Sequence, residues 1–363
     1  MLNQQGRDAV AQLAELHFSQ AKTILPPKPP KLEIISAAEL SEKHFEPIPH
    51  VVDNLLPAGL TVFAAPPKTG KSWFCLALSE AVVHGKPFFG RNTLQGDVLY
   101  FDLESKQARV KARMKPMGFI PSQNLGLAFE ANDLQHGLLD QLTEWHDAHQ
   151  AARLVILDTF ARIKGVSPRN VDAYSADSRL LAPLQRWALD RNIALVLVTH
   201  LRKQTRYVAD ADPFELITGS NGQFGIADTA WLITGQRTDE QRHLVISGRD
   251  LESQDLIISF DKKRCRWQCI GDAESVERAS AVQSPIMKTV LALLAESDAV
   301  MITANDLLEQ SMQLFGSAEG LIPSELGKRL KALSPMLAAL GVCYTPPASG
   351  GRKGRMHRFT RNG

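Results

Sequence analysis

From residue 60 onward, short unbroken apolar runs alternate with longer stretches of helical period. The runs at 60–65, 97–103, 154–157 and 193–199 are rich in Val, Ile, Leu and Phe with little polar alternation, the pattern of strands covered on both faces. Between them, 72–85, 105–115, 134–150 and 173–191 read as helices. Repeated strand–helix–strand units predict an α/β fold with a mostly parallel sheet and flanking helices. After Gly225 strands follow one another, at 229–234, 242–247, 255–260 and 265–270, with turn residues between. Antiparallel pairs are therefore expected to extend the sheet.

The two ends differ from this core. Residues 7–22 carry Val10, Leu13 and Leu16 at helical spacing and precede Pro26-Pro27-Lys28-Pro29-Pro30, a stiff, extended connector. Such a helix is either loosely docked or an arm that packs on a neighbouring copy. Residues 271–283 are polar, and Ser284-Pro285 then supplies an N-cap and first-turn proline for an apolar helix through Leu294. A shorter helix covers about 303–312. A third is marked by Leu326, Leu330 and Leu333, with basic Lys328, Arg329 and Lys331 among them. The chain finishes as strand, Gly-rich turn and strand. Three helices and a hairpin with basic Arg352, Lys353, Arg355 and Arg358 look like a winged-helix module. The expected division is 1–48, 49–272 and 284–363.

Composition changes this picture little. The 363 residues are 44% hydrophobic, and 41 Lys+Arg against 39 Asp+Glu leave a net charge of +2. No whole-chain field gathers nucleic acid, so any DNA affinity must come from local basic patches. Cys75, Cys265, Cys269 and Cys343 form no disulfide or metal framework, and Cys265 and Cys269 read as ordinary strand residues. No apolar run is long enough to span a bilayer and the first residues do not form a signal peptide. A cytoplasmic protein with no membrane partner is expected.

Candidate chemistry begins where the strand at 60–65 meets Ala65-Pro66-Pro67-Lys68-Thr69-Gly70-Lys71-Ser72 and a helix follows. This is a near-match to the Walker A pattern, with Ala65 in place of the first glycine. Such a loop needs inward amides, a helix N-terminus, a Lys on the terminal phosphates and a hydroxyl for Mg²⁺. Pro67, Lys68, Thr69, Gly70, Lys71, Ser72 and Trp73 are the candidate ATP-binding residues, although prolines supply no amide. Arg153-Leu154-Val155-Ile156-Leu157-Asp158 has the Walker B form, which makes Ser72 and Asp158 the candidate Mg²⁺ ligands.

With these motifs in order, residues 50–270 resemble the RecA/DnaB superfamily, and within it the RepA-type ring helicases of plasmids and phages. The resemblance implies a RecA-like sheet and a further set of roles. It makes Glu104, in Val98-Leu99-Tyr100-Phe101-Asp102-Leu103-Glu104-Ser105, the general base; the residues alone fit a helix cap equally well. It makes His200, after Val196-Leu197-Val198-Thr199, a γ-phosphate sensor. Arg202, Lys203 and Arg206, within 201–216, fall where this superfamily puts its single-stranded-DNA loops. Thr218-Gly219-Ser220-Asn221-Gly222-Gln223 with Ala227-Asp228 resembles the motif relaying nucleotide state to those loops. Arg249, in Val245-Ile246-Ser247-Gly248-Arg249-Asp250, aligns with the arginine finger that reaches a neighbouring subunit's nucleotide; a plain salt-bridging Arg is the alternative. Ser247 replaces a lysine often found two residues earlier, which weakens the expected charge in trans.

The expectation is therefore a Mg·ATP-hydrolysing ring of identical subunits, a hexamer in the family's manner, with DNA-helicase or translocase character in plasmid, phage or prophage replication. Catalysis falls to Glu104, Lys71, His200 and Arg249. The C-terminal module would meet duplex DNA or a replication protein. Two rivals stand beside it: a RecA-like recombination-mediator or regulatory ATPase that does not unwind, and a DNA-binding initiator or scaffold with vestigial hydrolysis.

Overall fold

The unbroken apolar runs form the middle of one nine-stranded sheet. The computed structural model describes residues 34–165, 173–201, 214, 221–235, 238–347 and 355–361. The chain divides into two units, Met1–Pro47 and Ile48–Gly363. In the first, α1 (Ala37–Glu42) is closed by a capping box: Glu39 N donates to Ser36 Oγ at 3.1 Å and Ser36 N to Glu39 Oε2 at 2.9 Å. The helix expected at 7–22 and the proline run lie outside the described residues.

The second unit opens with a short antiparallel pair, β1 (His50–Val52) and β2 (Leu56–Pro57). Then come β3 (Gly59–Ala65), α2 (Lys71–His84), β4 (Asp97–Asp102), α3 (Gln107–Met117), β5 (Leu125–Ala128) and α4 (Leu138–Ala148). They are followed by β6 (Ala152–Asp158), α5 (Phe160–Ile163), α6 (Ala173–Asp190), β7 (Ala194–His200) and α7 (Asn221–Ile226). The sheet is completed by β8 (Thr229–Thr234), β9 (Gln241–Gly248), β10 (Gln254–Asp261) and β11 (Arg266–Asp272). Strand order is β11-β10-β9-β8-β3-β7-β6-β4-β5. Neighbours from β8 to β5 are parallel, and β8 to β11 form an antiparallel extension.

Alternate residues of the central strands feed cores on opposite faces. Leu154, Ile156, Val196 and Val198 pack with Phe74, Leu78 and Val82 of α2. Val155, Leu157, Leu195 and Leu197 pack with Leu138 and Leu142 of α4 and Leu181, Leu184 and Trp187 of α6. Both faces are dry, which is why the sequence shows so little alternation there. Phe63, Phe74 and Trp231 make an aromatic centre, with Trp231 Nε1 donating to Leu55 O at 3.2 Å.

Two local details differ from expectation. Cys265 lies in the turn before β11 with φ of 50°, not in a strand; Cys269 is within β11. The polar stretch 271–283, between the two expected domains, is largely helical. There α8 (Ala273–Gln283) is N-capped by Asp272 Oδ1, which accepts from Ser275 N at 2.8 Å. Its apolar positions are too sparse for the helical period to stand out.

The C-terminal module contains α9 (Pro285–Ala295), β12 (Ala299–Thr303), α10 (Ala304–Phe315), α11 (Pro323–Ala339), β13 (Val342–Thr345) and β14 (Met356–Arg361). Ser284 caps α9 as its sequence predicts, accepting from Met287 N at 3.2 Å. The three strands pair in the order β12-β14-β13, so a strand between the first two helices joins the hairpin. Helix, strand, two helices and a two-stranded wing make this the expected winged-helix-like arrangement. Its core is Leu326, Leu330, Leu333 and Leu337 against Ile286, Val290 and Phe359. Arg329 is drawn away from the basic face by Glu319, whose Oε2 accepts from Arg329 Nε at 2.7 Å. Lys328 and Lys331 are exposed, and Arg352 and Lys353 lie outside the described residues.

The entry to β3 is fixed by Asp228. Its Oδ2 accepts from Leu60 N at 2.9 Å and its Oδ1 from Gln185 Nε2 at 2.6 Å. Gly59 precedes this contact with φ of 114°, and a Cβ there would stand 2.6 Å from Asp228 Oδ2. Gly59→Ala is therefore expected to cost about 1–3 kcal/mol through backbone strain and displacement of that carboxylate. Thermal unfolding checks it: the midpoint should fall by several degrees, and an unchanged midpoint would contradict the account.

Candidate functional site

The first element is the loop between β3 and α2. Lys68 and Gly70 both have positive φ, 62° and 102°, and Gly70 is the N-cap of α2. That cap contributes no side-chain hydrogen bond, so the positive end of a 14-residue helix faces the loop without an acceptor of its own. Thr69 Oγ1 donates to Pro66 O and closes the turn. Pro67 and Lys68 are exposed on its outer side.

Lys71 is buried at the loop's centre. Its ammonium donates to Ala65 O at 3.0 Å and Pro66 O at 3.3 Å, and lies 3.1 Å from His200 Nδ1. An ammonium has three N–H groups and no acceptor, so His200 Nδ1 must be the unprotonated nitrogen. The other ring nitrogen, Nε2, lies 3.7 Å from Glu104 Oε1. Burial and then the Lys71 charge hold the imidazole below its usual range, which keeps it neutral at pH 7; Glu104 opposes them. Burial likewise lowers Lys71, with Asp158 opposing.

Asp158 closes the site from below. Ser72 Oγ and Tyr100 OH each donate to its Oδ2 at 3.1 Å. Burial pushes its carboxyl from 3.8 to about 6, with the charge of Asp102 adding and the two hydrogen bonds opposing. The next peptide, Asp158–Thr159, is cis. A hydroxyl and a buried carboxylate are hard oxygen donors that suit Mg²⁺. Burial is the main reason the carboxyl is raised, with Asp102 second, and a divalent cation would favour its charged form. The residues present fit such an ion, with Ser72 and Asp158 as its protein ligands.

Beside the loop lies a cleft of about 530 Å³ lined by Lys68, Thr69, Gly70, Trp73, Phe260 and Trp267, among others. Phe260 and Trp267 have ring centroids 5.2 Å apart, and Trp73 is 6.3 Å from Phe260. Trp267 Nε1 donates to Gly70 O at 3.2 Å, which ties the antiparallel extension to the phosphate loop. The wall is charged as well as aromatic, with Glu240, Lys262 and Lys263 on it and Arg242 over the Trp267 ring, and the volume beside the loop has room for a nucleoside. Of these aromatics the sequence nominates Trp73 alone. Tyr100, Phe260 and Trp267 escape it, because aromatic residues in strands read as core. Their nearness to strand ends is the one sequence signal that could have raised them.

Arg249 stands elsewhere. Gly248 pairs with Thr229, and Thr229 with Thr61 near the start of β3, whereas the phosphate loop leaves its end. From Thr61 to the end of β3 at Ala65 that is about 13 Å along the strand. Arg249 Nη1 is 3.6 Å from Asp228 Oδ1 and its Nη2 donates to Gly225 O at 3.2 Å, while the side chain is 58% exposed. It borders a groove of about 720 Å³ with Arg179, Gln185 and Arg186. The structure thus brings Lys71, Ser72, Glu104, Asp158 and His200 together and leaves Arg249 apart. Arg202, Lys203, Arg206 and Thr218 to Ser220 lie outside the described residues.

A family model described as an AAA domain matches residues 26–206. No curated protein matches the sequence. Among solved structures, a DnaB-like replicative helicase whose interactions with primase were described shares 13% identity at a TM-score of 0.50, over 72% of this chain and 70% of that one. A second solved structure, an isolated ATPase domain, shares 12% identity at 0.47, over 58% and 84% respectively. No helix among the described residues is long and apolar enough to cross a membrane.

The Asp158 carboxyl has a stability consequence. Its folded value is raised, so between pH 3.8 and about 6 the folded protein keeps a proton the unfolded chain has lost. The cost of charging it is absent below that window and complete above it. In metal-free buffer Asp158→Asn should therefore be more stable than wild type at pH 7.5, by up to about 3 kcal/mol. The difference should shrink as pH falls toward 4. Denaturant melts at several pH values test this, and a pH-independent difference would contradict it.

Proposed function

We propose, from the premise that this chain is a P-loop ATPase of the RecA/DnaB superfamily, that it hydrolyses Mg·ATP at the interfaces of a ring of identical copies. The ring works as a DNA helicase or translocase in plasmid, phage or prophage replication, in the cytoplasm. The observation that carries the reading is the convergence of Lys71, Ser72, Glu104, Asp158 and His200 on one sheet edge, with Arg249 held on the other.

In this reading the loop amides of 68–72 and Lys71 grip the β- and γ-phosphates, and the nucleoside lies against Trp73, Phe260 and Trp267. Mg²⁺, held by Ser72 and Asp158, supplies charge neutralisation on the phosphates. Glu104 orients the attacking water and accepts its proton. Neutral His200 donates through Nε2–H toward the γ-phosphate and senses its loss. Since Arg249 stands about 13 Å back along the strands from its own phosphate loop and turns toward Asp228, its guanidinium serves the nucleotide of a neighbouring copy, where it offsets transition-state charge. His200 is followed directly by the segment with Arg202, Lys203 and Arg206, which contacts the phosphates of single-stranded DNA. Exposed Lys328, Lys331 and Arg358 give the C-terminal module a basic surface for duplex DNA or a replication protein.

Turnover measurements and strand displacement test the proposal. Glu104→Gln should lower kcat by about 10²–10⁴-fold while ATP still binds, and Lys71→Ala should abolish binding. Arg249→Ala should lose about 10³-fold in kcat. Mixing Arg249→Ala with Lys71→Ala should recover activity, because each supplies what the other lacks; no recovery on mixing argues against a shared site. DNA-stimulated turnover without duplex opening would instead favour the non-unwinding ATPase, and negligible wild-type turnover the vestigial scaffold.

A further inference from the structure

The turn between β4 and α3 carries Glu104, yet the Glu104 side chain does little to hold itself in place. It is 45% exposed, and its contact with His200 Nε2, at 3.7 Å, is too long for a hydrogen bond. Its neighbours are held firmly. Asp102, 1% exposed, accepts from Ser105 N through Oδ1 at 2.9 Å. Arg113 Nη1 donates both to Asp102 Oδ2 and to Ser105 Oγ, each at 3.2 Å. Glu104 therefore sits within a backbone loop whose two ends are joined by one carboxylate and one guanidinium.

Arg113 has a second attachment. Its guanidinium carbon is 6.0 Å from the centroid of the Trp73 ring, a cation–π distance. Trp73 follows Ser72 on the helix that also carries Lys71. One side chain thus bridges the turn bearing Glu104 and the helix bearing the phosphate-binding residues. Both hydrogen bonds leave one nitrogen, Nη1, as a lysine ammonium could also supply, whereas the flat face set against Trp73 belongs to the guanidinium.

We propose that Arg113 is a positioning residue for hydrolysis: by fixing the Asp102–Ser105 turn against the phosphate-loop helix, it holds the Glu104 carboxylate on the edge facing Lys71 and His200. The inference rests on the reading of Glu104 as the base that acts on water. A base displaced by about 1 Å can lose about 10²-fold in rate, while ATP binding, which depends chiefly on the loop and Lys71, is touched only through Trp73.

The test uses the full-length protein and compares Arg113→Ala, Arg113→Lys, Glu104→Gln and the Arg113→Ala/Glu104→Gln double variant. Arg113→Ala should lower kcat by about 10–100-fold, with a larger effect on kcat than on KM for ATP, which moves only through Trp73, and Arg113→Lys should recover part of the loss. In the Glu104→Gln background, Arg113→Ala should produce no further loss, since it acts through a group already removed. An unchanged kcat, a loss confined to KM, or an undiminished loss in the double variant would each overturn the inference. Should Glu104→Gln alone leave kcat intact, the base assignment itself fails, and that single variant separates the two failures. If Arg113→Ala does not fold, Ser105→Ala removes one of the two oxygens on the guanidinium. A severalfold fall in kcat at unchanged KM is then expected, and no change overturns the inference.

Discussion

The parallel register of four adjacent strands is the constraint on which the site depends. Ala65 stands opposite His200, Asp158 opposite Val198, and Asp102 opposite Asp158. Parallel strands end on a common edge, so the loops that leave β3, β4, β6 and β7 open onto one line. A slip of one residue would turn every side chain of a strand to the opposite face. Here both faces are dry, with Val196 and Val198 against α2 and Leu195 and Leu197 against α4 and α6. Hydrophobic packing on two sides thus sets the distances between polar groups on the edge.

That edge concentrates charge at a cost. Asp102 and Asp158 are both nearly fully buried, and Glu104 lies beyond them. Lys71 and Arg113 are the cations that face them among the described residues. The competition is visible in the direction of each shift: burial raises Asp158, while burial lowers Lys71 and His200. A fold arranged only for stability would place apolar side chains here. The strain is local, because the strands beneath are held by packing that involves none of these groups.

Much of this was legible in the residues. The central strands and their helices showed because burial on two faces leaves long apolar runs. The phosphate loop showed because its parts are contiguous. β1, β2, β5 and β12 did not, since two to five residues cannot display a period. Glu104 and His200 rested on resemblance: a polar residue after a strand says nothing by itself of what it faces. The Asp102–Arg113 pair joins residues eleven apart in sequence, a spacing that means nothing until a strand end and a helix face are set side by side. Trp267 and Phe260 were hidden for the opposite reason, because strands ordinarily bury such residues.

Asp228 ties the far end of the sheet together, gripping the start of β3, Gln185 of α6 and the exposed Arg249. This gives the molecule two unlike ends, one that carries Lys71 in its loop and one that presents the Arg249 guanidinium. A two-fold pair joins a surface to its own image and would have to bring both ends into a single patch. Head-to-tail contact has no such difficulty, but it never satisfies its last member. An open string of copies always has one cavity lacking its cation and one cation lacking its cavity. In the ring proposed above, only closure removes that deficit, so there completeness would belong to the assembly and not to the chain.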